Sequence, residues 1–326
     1  MTLKLDVHGE VWPAIIPFRI TGVTFVSFQS IVVEVSDGTH VGRGEALGVY
    51  YLNETMASLL EQVEAFRPRL EQGIDREALQ TLLPPGGVRN AVDCALWDLE
   101  AKSSRQTIWS LTGVAPKELH TVFTIGMEDT PEQMAAKAAA AKADLLKVKL
   151  NSDRPVERLR AIRAARPDAR LVVDANQGWN IAQLHEVIEA AVEIGVEMIE
   201  QPLPRNGDAA LAGVRSPIPL CADESCLHLG ELDGVADRYQ MINIKLDKTG
   251  GLTHALRLAA EARKRNLGVM VGSMGGSSLA MAPTFVVGCV ADLVDIDGPL
   301  LQRSDRAHGI QYRSGMASVF GAALWG

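Results

Sequence analysis

The chain has 326 residues, of which 47% are hydrophobic and 22% charged, values typical of a folded protein with a large core. Its formal net charge of −8 argues against nonspecific binding to nucleic acids or acidic membranes. The first 20 residues do not resemble a signal peptide, and no apolar stretch is long enough to span a bilayer. The four cysteines follow no zinc or redox spacing. We therefore expect a cytoplasmic protein.

The first third of the chain predicts an α+β domain. The segment SIVVEVSDGTHVGRGEA contains two strand patterns around Asp37 and Gly38, which is typical of a β-hairpin. Helical periods follow in NETMASLLEQVEAFRPRL, REALQTLL and VRNAVDCALWDLEAKSSRQTIWSLTG. Gly113 and Pro116 then interrupt the pattern, so we predict a first domain over residues 1–115.

From about residue 120, short apolar strands alternate with Ala-rich helices. The predicted strands are TVFTI, LLKVKL, RLVVDA, EMIEQP, IPLCAD, QMINIK, GVMVGS and LVDID. Eight strands with crossover helices favour a closed parallel barrel over an open sheet. We predict an α/β fold, a modified TIM barrel of the (β/α)7β type over residues 116–303. Residues 304–326 resume no strand–helix unit and are expected to pack back on the first domain, completing it.

Charged side chains recur near the C-terminal ends of these strands, where barrel enzymes build their active sites. They are Lys147, Lys149, Asp174, Glu200, Asp223, Lys245, Asp295 and Asp297. The steps from 149 to 174, 200, 223 and 245 are 25, 26, 23 and 22 residues, about one strand–helix unit each. Turns and helix caps explain such residues one at a time. Their recurrence at one end of consecutive strands instead predicts an active site.

Asp174, Glu200 and Asp223 supply the hard oxygen ligands that Mg²⁺ prefers. Without a cation, three close carboxylates would raise one another's pKa by repulsion. We therefore predict that these side chains hold one Mg²⁺ per subunit.

Lys149 and Lys245 lie on either side of the predicted metal ligands, where they can act as acid and base. Lysine is normally protonated at neutral pH, so a lysine base needs surroundings that disfavour its charge. Lys147 shares the strand face of Lys149 and, with the nearby dication, would have this effect. The interpretation is that Lys147 tunes and Lys149 reacts.

At these positions the chain resembles the enolase superfamily, in particular the dipeptide epimerases of its muconate-lactonising subgroup. The motifs are KVK (147–149), DANQGW (174–179), EQP (200–202), ADES (222–225), INIKLDKTGG (242–251), VGSM (271–274) and DIDGP (295–299). The resemblance implies an isomerase that moves a proton next to a metal-bound carboxylate through an enediolate. It places Lys149 and Lys245 on opposite faces of the reacting carbon, which suits inversion. Asn176 and Glu224 would support the metal ligands.

The resemblance also implies how a substrate is held. In dipeptide epimerases two carboxylates after the eighth strand bind the free ammonium group, and Asp295 and Asp297 match them. Ser273 and Met274, in the VGSM motif, are further predicted substrate contacts. N-acylamino-acid racemases and o-succinylbenzoate synthases act on substrates without that amine, which argues against them. These enzymes and the cycloisomerases remain alternatives, and a non-catalytic binding barrel is a more distant one.

In this family, loops of the first domain close over the barrel mouth and select the side chain. The loops here are PFRITGVTF (17–25) and GEALGVYYLNE (44–54). Ala-Glu epimerases carry an arginine at a position that falls on or near Val23. With Val23, Tyr50 and Tyr51 as an apolar lid, we predict an L,L-dipeptide substrate with an uncharged, apolar C-terminal side chain. We also expect a homo-oligomer without nucleic-acid or membrane partners.

Overall fold

A computed structural model describes residues 3–326. The first sheet is antiparallel, in the order β1 (Lys4–Ile20), β2 (Val23–Ser36) and β3 (Val41–Ala46). The hairpin predicted around Asp37 and Gly38 joins β2 to β3, and Gly38 takes a φ of 93° that glycine adopts without strain. A longer hairpin joins β1 to β2 at Gly22, so residues 17–25, predicted as a loop, form the tip of two paired strands.

Four helices complete this unit, called the cap below. They are α1 (Met56–Leu70), α2 (Arg76–Leu82), α3 (Gly87–Ser104) and α4 (Ile108–Thr112). Helix α3 lies directly on β3, because Gly42 and Gly44 have no side chains to hold it away. A Cβ atom at these positions would lie 2.1 Å from the carbonyl oxygen of Ala95 and 2.0 Å from that of Ala91. The close packing buries α3 between the sheet and the barrel.

Eight parallel strands form the second sheet and confirm the predicted α/β barrel. They are β5 (Phe123–Ile125), β6 (Leu145–Lys149), β7 (Arg170–Asp174), β8 (Val196–Glu200), β9 (Leu220–Ala222), β10 (Met241–Lys245), β11 (Gly268–Gly272) and β12 (Leu293–Val294). A bridge between Thr121 and Val294 links the first strand to the last. The apolar strand residues alternate between two separate clusters, a small one formed almost entirely by strand residues and a large one that they share with the surrounding helices.

Helices cover most of the outside of this barrel. They are α5 (Pro131–Ala140), α6 (Pro155–Ala165), α7 (Ile181–Ile194), α8 (Leu246–Thr249), α9 (Leu252–Lys264) and α10 (Ser278–Gly288). After β8 and after β9 the connections contain short 3₁₀ turns instead, at 208–213 and 229–231. None of the helices in residues 3–326 combines the length and apolar character needed to cross a bilayer.

The end of the chain contacts both parts of the protein. Strands β13 (Tyr312–Arg313) and β14 (Met316–Ala317) pair with β4 (Leu119–His120) beside the barrel. The buried indole of Trp325 donates to the carbonyl oxygen of Arg43, 2.9 Å away, and the amide of Gly326 donates to Asp98 Oδ1 at 2.8 Å. These contacts attach the tail to β3 and α3 of the cap.

Candidate active site

The predicted charged residues meet at the C-terminal ends of the barrel strands. Parallel pairing places Lys149 beside Asp174, and Asp174 beside Glu200, in adjacent strands. All eight side chains lie under the cap in residues that are only 0–8% exposed. Charged groups are almost never buried without partners, so this concentration requires that they compensate one another.

The two outer lysines each hold one of the predicted metal ligands. Lys149 Nζ donates to Asp174 Oδ2 at 2.6 Å, and Lys245 Nζ donates to Asp223 Oδ2 at 2.7 Å. Asp174 ends β7 and Asp223 follows β9, so the lysines flank the carboxylates from opposite sides. Each of the two lysines is therefore paired with a different buried carboxylate.

Lys147 has a different environment, which sequence reasoning missed. Its ammonium nitrogen lies 2.7 Å from Glu200 Oε2, 2.7 Å from Asp295 Oδ2 and 3.2 Å from Asp174 Oδ2. The contact with Glu200 Oε2 is an ion pair without hydrogen-bond geometry, because that oxygen accepts no hydrogen bond from the described residues. Lys147 therefore compensates several carboxylates in addition to lying beside Lys149.

The pKa values of the carboxylates reflect this crowding. Burial, followed by repulsion from Asp174 and Asp223, raises the pKa of Glu200 to about 7 even though Lys147 acts in the opposite direction. Burial and the same two aspartates raise the pKa of Glu224 to about 8. Ionised forms of these acids would be favoured by a further cation at the site.

The oxygen atoms present suit a hard divalent cation. Asp174, Glu200 and Asp223 project from three neighbouring strands, and they could hold the ion. Nearby, Asn176 Oδ1 and Glu224 Oε2 are buried and accept no hydrogen bond from residues 3–326. Among residues 3–326, no group of three Asp, Glu, His or Cys side chains is positioned to hold a metal ion as the side chains stand. Lysine ammonium groups lie next to the carboxylates instead.

A cavity of about 70 Å³ lies between the cap and the barrel. Its roof comes from the cap and is formed by Phe18, Ile20, Phe25, Phe28, Tyr50 and Tyr51. Its floor and walls come from the barrel side and include Thr124, Lys149, Asn176, Asp223, Glu224, Lys245, Ser273, Met274, Asp295, Asp297 and Leu301. The cavity therefore combines an apolar roof with a charged floor, as a site for a small ionic molecule with an apolar part would.

The predicted substrate contacts Tyr50, Ser273, Met274, Asp295 and Asp297 all line this cavity. Val23 does not, and that prediction needs correction.

Val23 pairs with Ile20 at the tip of the β1–β2 hairpin, beyond the cavity. Phe25, two residues along the same face of β2, takes the expected place and lies opposite Phe18. The ring centroid of Phe25 is 5.6 Å from that of Tyr50 and 5.9 Å from that of Phe28. The alternating apolar residues around Gly22 were the signal that could have identified these aromatic residues.

The two acids after β12 are held differently. Asp295 is paired with Lys147, whereas Asp297 Oδ2 accepts a hydrogen bond from the backbone amide of Thr124 at 2.7 Å. Burial, followed by repulsion from Asp295, raises the pKa of Asp297 to about 7. No lysine, arginine or histidine among residues 3–326 forms an ion pair with Asp297, so its charge is available for a cationic ligand.

A further buried cation, Lys248, also escaped sequence reasoning. The three hydrogens of its ammonium group are shared among four acceptors, Asp223 Oδ1 at 2.7 Å and the carbonyl oxygens of Asp223, Asn243 and Cys226 at 2.7, 2.8 and 3.1 Å. Asn243 in turn donates to Glu200 Oε1 at 2.7 Å. Both residues belong to INIKLDKTGG, and the position of Lys248 three residues after Lys245 was the available signal.

Family models match nearly the entire chain. Residues 4–113 match the mandelate racemase/muconate lactonizing enzyme N-terminal domain, and residues 130–317 match the enolase C-terminal domain-like family. The barrel and the cap are thus the two domains of an enolase-superfamily isomerase. The chain belongs to the mandelate racemase/muconate lactonizing enzyme family of that superfamily.

Two curated relatives are each 41% identical to this chain. The L-Ala-D/L-Glu epimerase of Escherichia coli K12 aligns over 95% of this chain and 98% of its own length. The N-acetyl-D-glutamate racemase of a Pseudoalteromonas species aligns over 91% and 95%, respectively. Both relatives invert a stereocentre, according to their names.

Solved structures that resemble this chain include dipeptide epimerases and a related protein. An enolase family member from Agrobacterium tumefaciens, described as homologous to dipeptide epimerases and holding sodium and L-Ala-L-Glu, is 40% identical. It has a TM-score of 0.96, with 99% of this chain and all of the other covered. A dipeptide epimerase from Cytophaga hutchinsonii, in complex with Mg and D-Ala-L-Val, is 25% identical, with a TM-score of 0.90 and coverages of 99% and 95%.

Proposed function

We propose that this protein is a Mg²⁺-dependent dipeptide epimerase that inverts the α-carbon of the C-terminal residue of an L,L-dipeptide. The observation that carries the proposal is the pair Lys149 and Lys245, which line one cavity from opposite sides of the buried carboxylates. The names of several relatives, which are epimerases and racemases, agree with this reaction type.

The metal would be held by Asp174, Glu200 and Asp223. These carboxylates are buried and repel one another, and both effects raise the pKa of Glu200. A divalent cation among them would stabilise their ionised forms. When bound, Mg²⁺ supplies Lewis-acid stabilisation of the negative charge that develops on the substrate carboxylate. The relative from Cytophaga hutchinsonii, which was crystallised with Mg, supports this choice of ion.

The lysines would carry the proton transfer. One lysine, in its amine form, removes the proton from the α-carbon onto its Nζ. The other, as an ammonium, then donates a proton from its Nζ to the opposite face of the same carbon. Because each face is served by one residue, an L residue is converted to D and the reverse reaction exchanges the two roles.

Asp295 and Asp297 would bind the free ammonium group of the dipeptide. Asp297 has no cationic partner among the described residues, and burial followed by repulsion from Asp295 raises its pKa, so a positive ligand would stabilise both charges. An N-acyl amino acid would bring no such cation to the pair. Racemisation of N-acyl amino acids is the second candidate function, because one relative at 41% identity is an N-acetyl-D-glutamate racemase.

The substrate side chain would be uncharged and apolar. It would pack under Phe18, Phe25 and Tyr50, and the lining of the cavity places no arginine in that roof. Arg19, on the same hairpin, instead donates to Asp129 on the exposed surface at 2.9 Å. Burying an unpaired glutamate side chain here would cost several kcal/mol. The Ala-Glu ligand of the relative from Agrobacterium tumefaciens makes L-Ala-L-Glu the competing substrate.

The test incubates the protein with Mg²⁺ in D₂O and a panel of L,L-dipeptides and N-acyl amino acids. Mass spectrometry then detects deuterium at the α-carbon, and chiral chromatography detects the D epimer. We expect turnover of dipeptides, its loss on chelation and its return with Mg²⁺. Activity confined to N-acyl amino acids would favour the racemase, and full activity after exhaustive chelation would contradict the metal assignment.

A further inference from the structure

Gln201 lies immediately after the proposed ligand Glu200, at the end of β8, and it is completely buried. Its φ of +35° falls in the left-handed region, where residues other than glycine are rarely found. Such backbone strain persists only where the surroundings hold it, and it concentrates at functional sites.

The side chain of Gln201 uses all of its hydrogen-bonding capacity. Its Oε1 accepts from the backbone amides of Asp223 and Ser225 at 2.9 and 3.0 Å. The two hydrogens of its Nε2 are shared among three acceptors, the carbonyl oxygen of Leu203, Ser225 Oγ and Tyr239 OH, at 2.9, 2.8 and 3.1 Å. Because Oε1 faces two backbone donors, the amide has only one acceptable orientation.

The backbone of Gln201 connects the two neighbouring strand ends. Its amide donates to the carbonyl oxygen of Cys221 at 2.9 Å, two residues before Asp223. Its carbonyl oxygen accepts from the amide of Gln177 at 2.8 Å, three residues after Asp174. One residue thus bonds directly to the chain segments that carry all three proposed metal ligands.

We propose that Gln201 is a positioning residue that sets the relative placement of Asp174, Glu200 and Asp223 and thereby the affinity of the site for a divalent cation. The inference rests on the proposed metal site. Gln201 itself need not touch the cation, because it acts by fixing the backbone of Asp223 from one side and that of Gln177 from the other. Without the hydrogen bonds of Gln201, Asp174 and Asp223 could stay paired with Lys149 and Lys245 instead of converging on one ion.

The experiment measures Mg²⁺ binding to the full chain by isothermal titration calorimetry. Gln201→Met preserves the length and bulk of the side chain and removes its side-chain hydrogen bonds, while the backbone bonds of residue 201 remain. We expect the dissociation constant for Mg²⁺ to rise by roughly 10- to 100-fold, as for other residues that orient metal ligands. Saturating Mg²⁺ should then restore most of kcat, an outcome that general damage to the active site would not give.

Gln240 offers a matched control. Its Oε1 accepts a hydrogen bond from the backbone amide of Leu220 at 3.0 Å. Leu220 begins β9, the strand that Asp223 follows, so this contact lies at the end of β9 remote from the cavity. Gln240→Met should leave the dissociation constant for Mg²⁺ within about twofold of the parent value.

A second variant keeps the test open if Gln201→Met does not fold. Ser225→Ala removes one acceptor of the Gln201 amide and should weaken Mg²⁺ binding by roughly 3- to 10-fold. If Gln201→Met folds and binds Mg²⁺ with the affinity of the parent, the role of Gln201 is refuted. If Gln201→Met does not fold, parent-like affinity in Ser225→Ala refutes it. Either result leaves the proposed metal site standing. Failure of the parent protein to bind Mg²⁺ would overturn the metal site itself.

Discussion

Lys147 Nζ lies 2.7 Å from Asp295 Oδ2, although the two residues are 148 positions apart in the chain. The same ammonium group contacts Glu200 and Asp174. Lys147 therefore links two of the proposed metal ligands to Asp295, which is proposed to bind the substrate ammonium group. Burial alone would lower the pKa of Lys147, but the three carboxylates raise it well above its usual value. Lys147 therefore compensates three buried carboxylates, which come from different strand ends beneath the cavity.

Removing that charge should destabilise the protein. In Lys147→Met the three carboxylates lose their shared partner while they stay buried, so we expect the free energy of unfolding to fall by about 3–5 kcal/mol. Urea denaturation at neutral pH, followed by circular dichroism, measures the change. Lys264→Met serves as the control, since that side chain is 69% exposed and should contribute less than about 1 kcal/mol. Equal stability of Lys147→Met and the parent would contradict this role.

The location of the site was predictable from sequence because it depends on spacing. Lysines and acids that recur about once per strand–helix unit must meet at one end of a parallel barrel. Lys149 and Asp174 are 25 residues apart and end in adjacent, paired strands, as that spacing requires. The apolar strands themselves were equally visible, because both faces of such strands are buried.

Contacts between distant segments were not predictable in the same way. The spacing along residues 17–25 predicts Val23 in the lid, but the strand register places Phe25 there instead. The strained backbone of Gln201 and the partners of Lys248 depend on three strands at once, which a single sequence read along its length does not specify. These residues illustrate the part of a site that tertiary packing determines.

The two-base proposal predicts distinct defects in the lysine variants. Lys149→Met and Lys245→Met should each lose epimerisation by at least about 10²- to 10⁴-fold, since inversion needs a proton carrier on both faces. Each variant should still exchange the α-proton of only one epimer in D₂O, and the two variants should differ in which epimer that is. Lys264→Met should behave like the parent. Parent-like epimerisation in either single variant would refute the proposal.

The apolar roof predicts how the substrate preference can be changed. The parent should have a higher kcat/KM for L-Ala-L-Leu than for L-Ala-L-Glu. In Phe25→Arg, a guanidinium group within the cavity lining can pair with the glutamate side chain. The ratio of kcat/KM should then move toward L-Ala-L-Glu by about tenfold, equivalent to ~1.4 kcal/mol.

Val23→Arg provides the matched control, because Val23 lies on the same face of the same strand but outside the cavity. It should change the ratio by less than about twofold, well within the effect of a surface substitution. A parent enzyme that already prefers L-Ala-L-Glu would show that the roof accommodates a carboxylate by contacts other than these.

A last prediction concerns stability at the junction of α3 with α9. The buried carboxylate of Asp93 accepts hydrogen bonds from the amide of Thr253 and from Gln80 Nε2, both at 2.9 Å. Burial nevertheless raises the pKa of Asp93 from 3.8 to about 6. The folded state thus binds a proton that the unfolded state has released between about pH 4 and pH 6, so the free energy of unfolding falls as pH rises through this window.

Asp93→Asn should remove that part of the pH dependence. The new side-chain amide would be neutral at every pH and would still accept a hydrogen bond from the amide of Thr253. Gln80 Oε1 is buried and has no partner in residues 3–326. If the Gln80 amide turns over, this oxygen can accept a hydrogen bond from the new amide at position 93. At about pH 7 the variant should be more stable than the parent by on the order of 1–3 kcal/mol, and the difference should vanish near pH 4. Urea denaturation across this range tests the prediction, with the exposed Asp237→Asn as control. A variant that is less stable than the parent at neutral pH would show that the ionised carboxylate, through its two hydrogen bonds, is what holds α3 against α9.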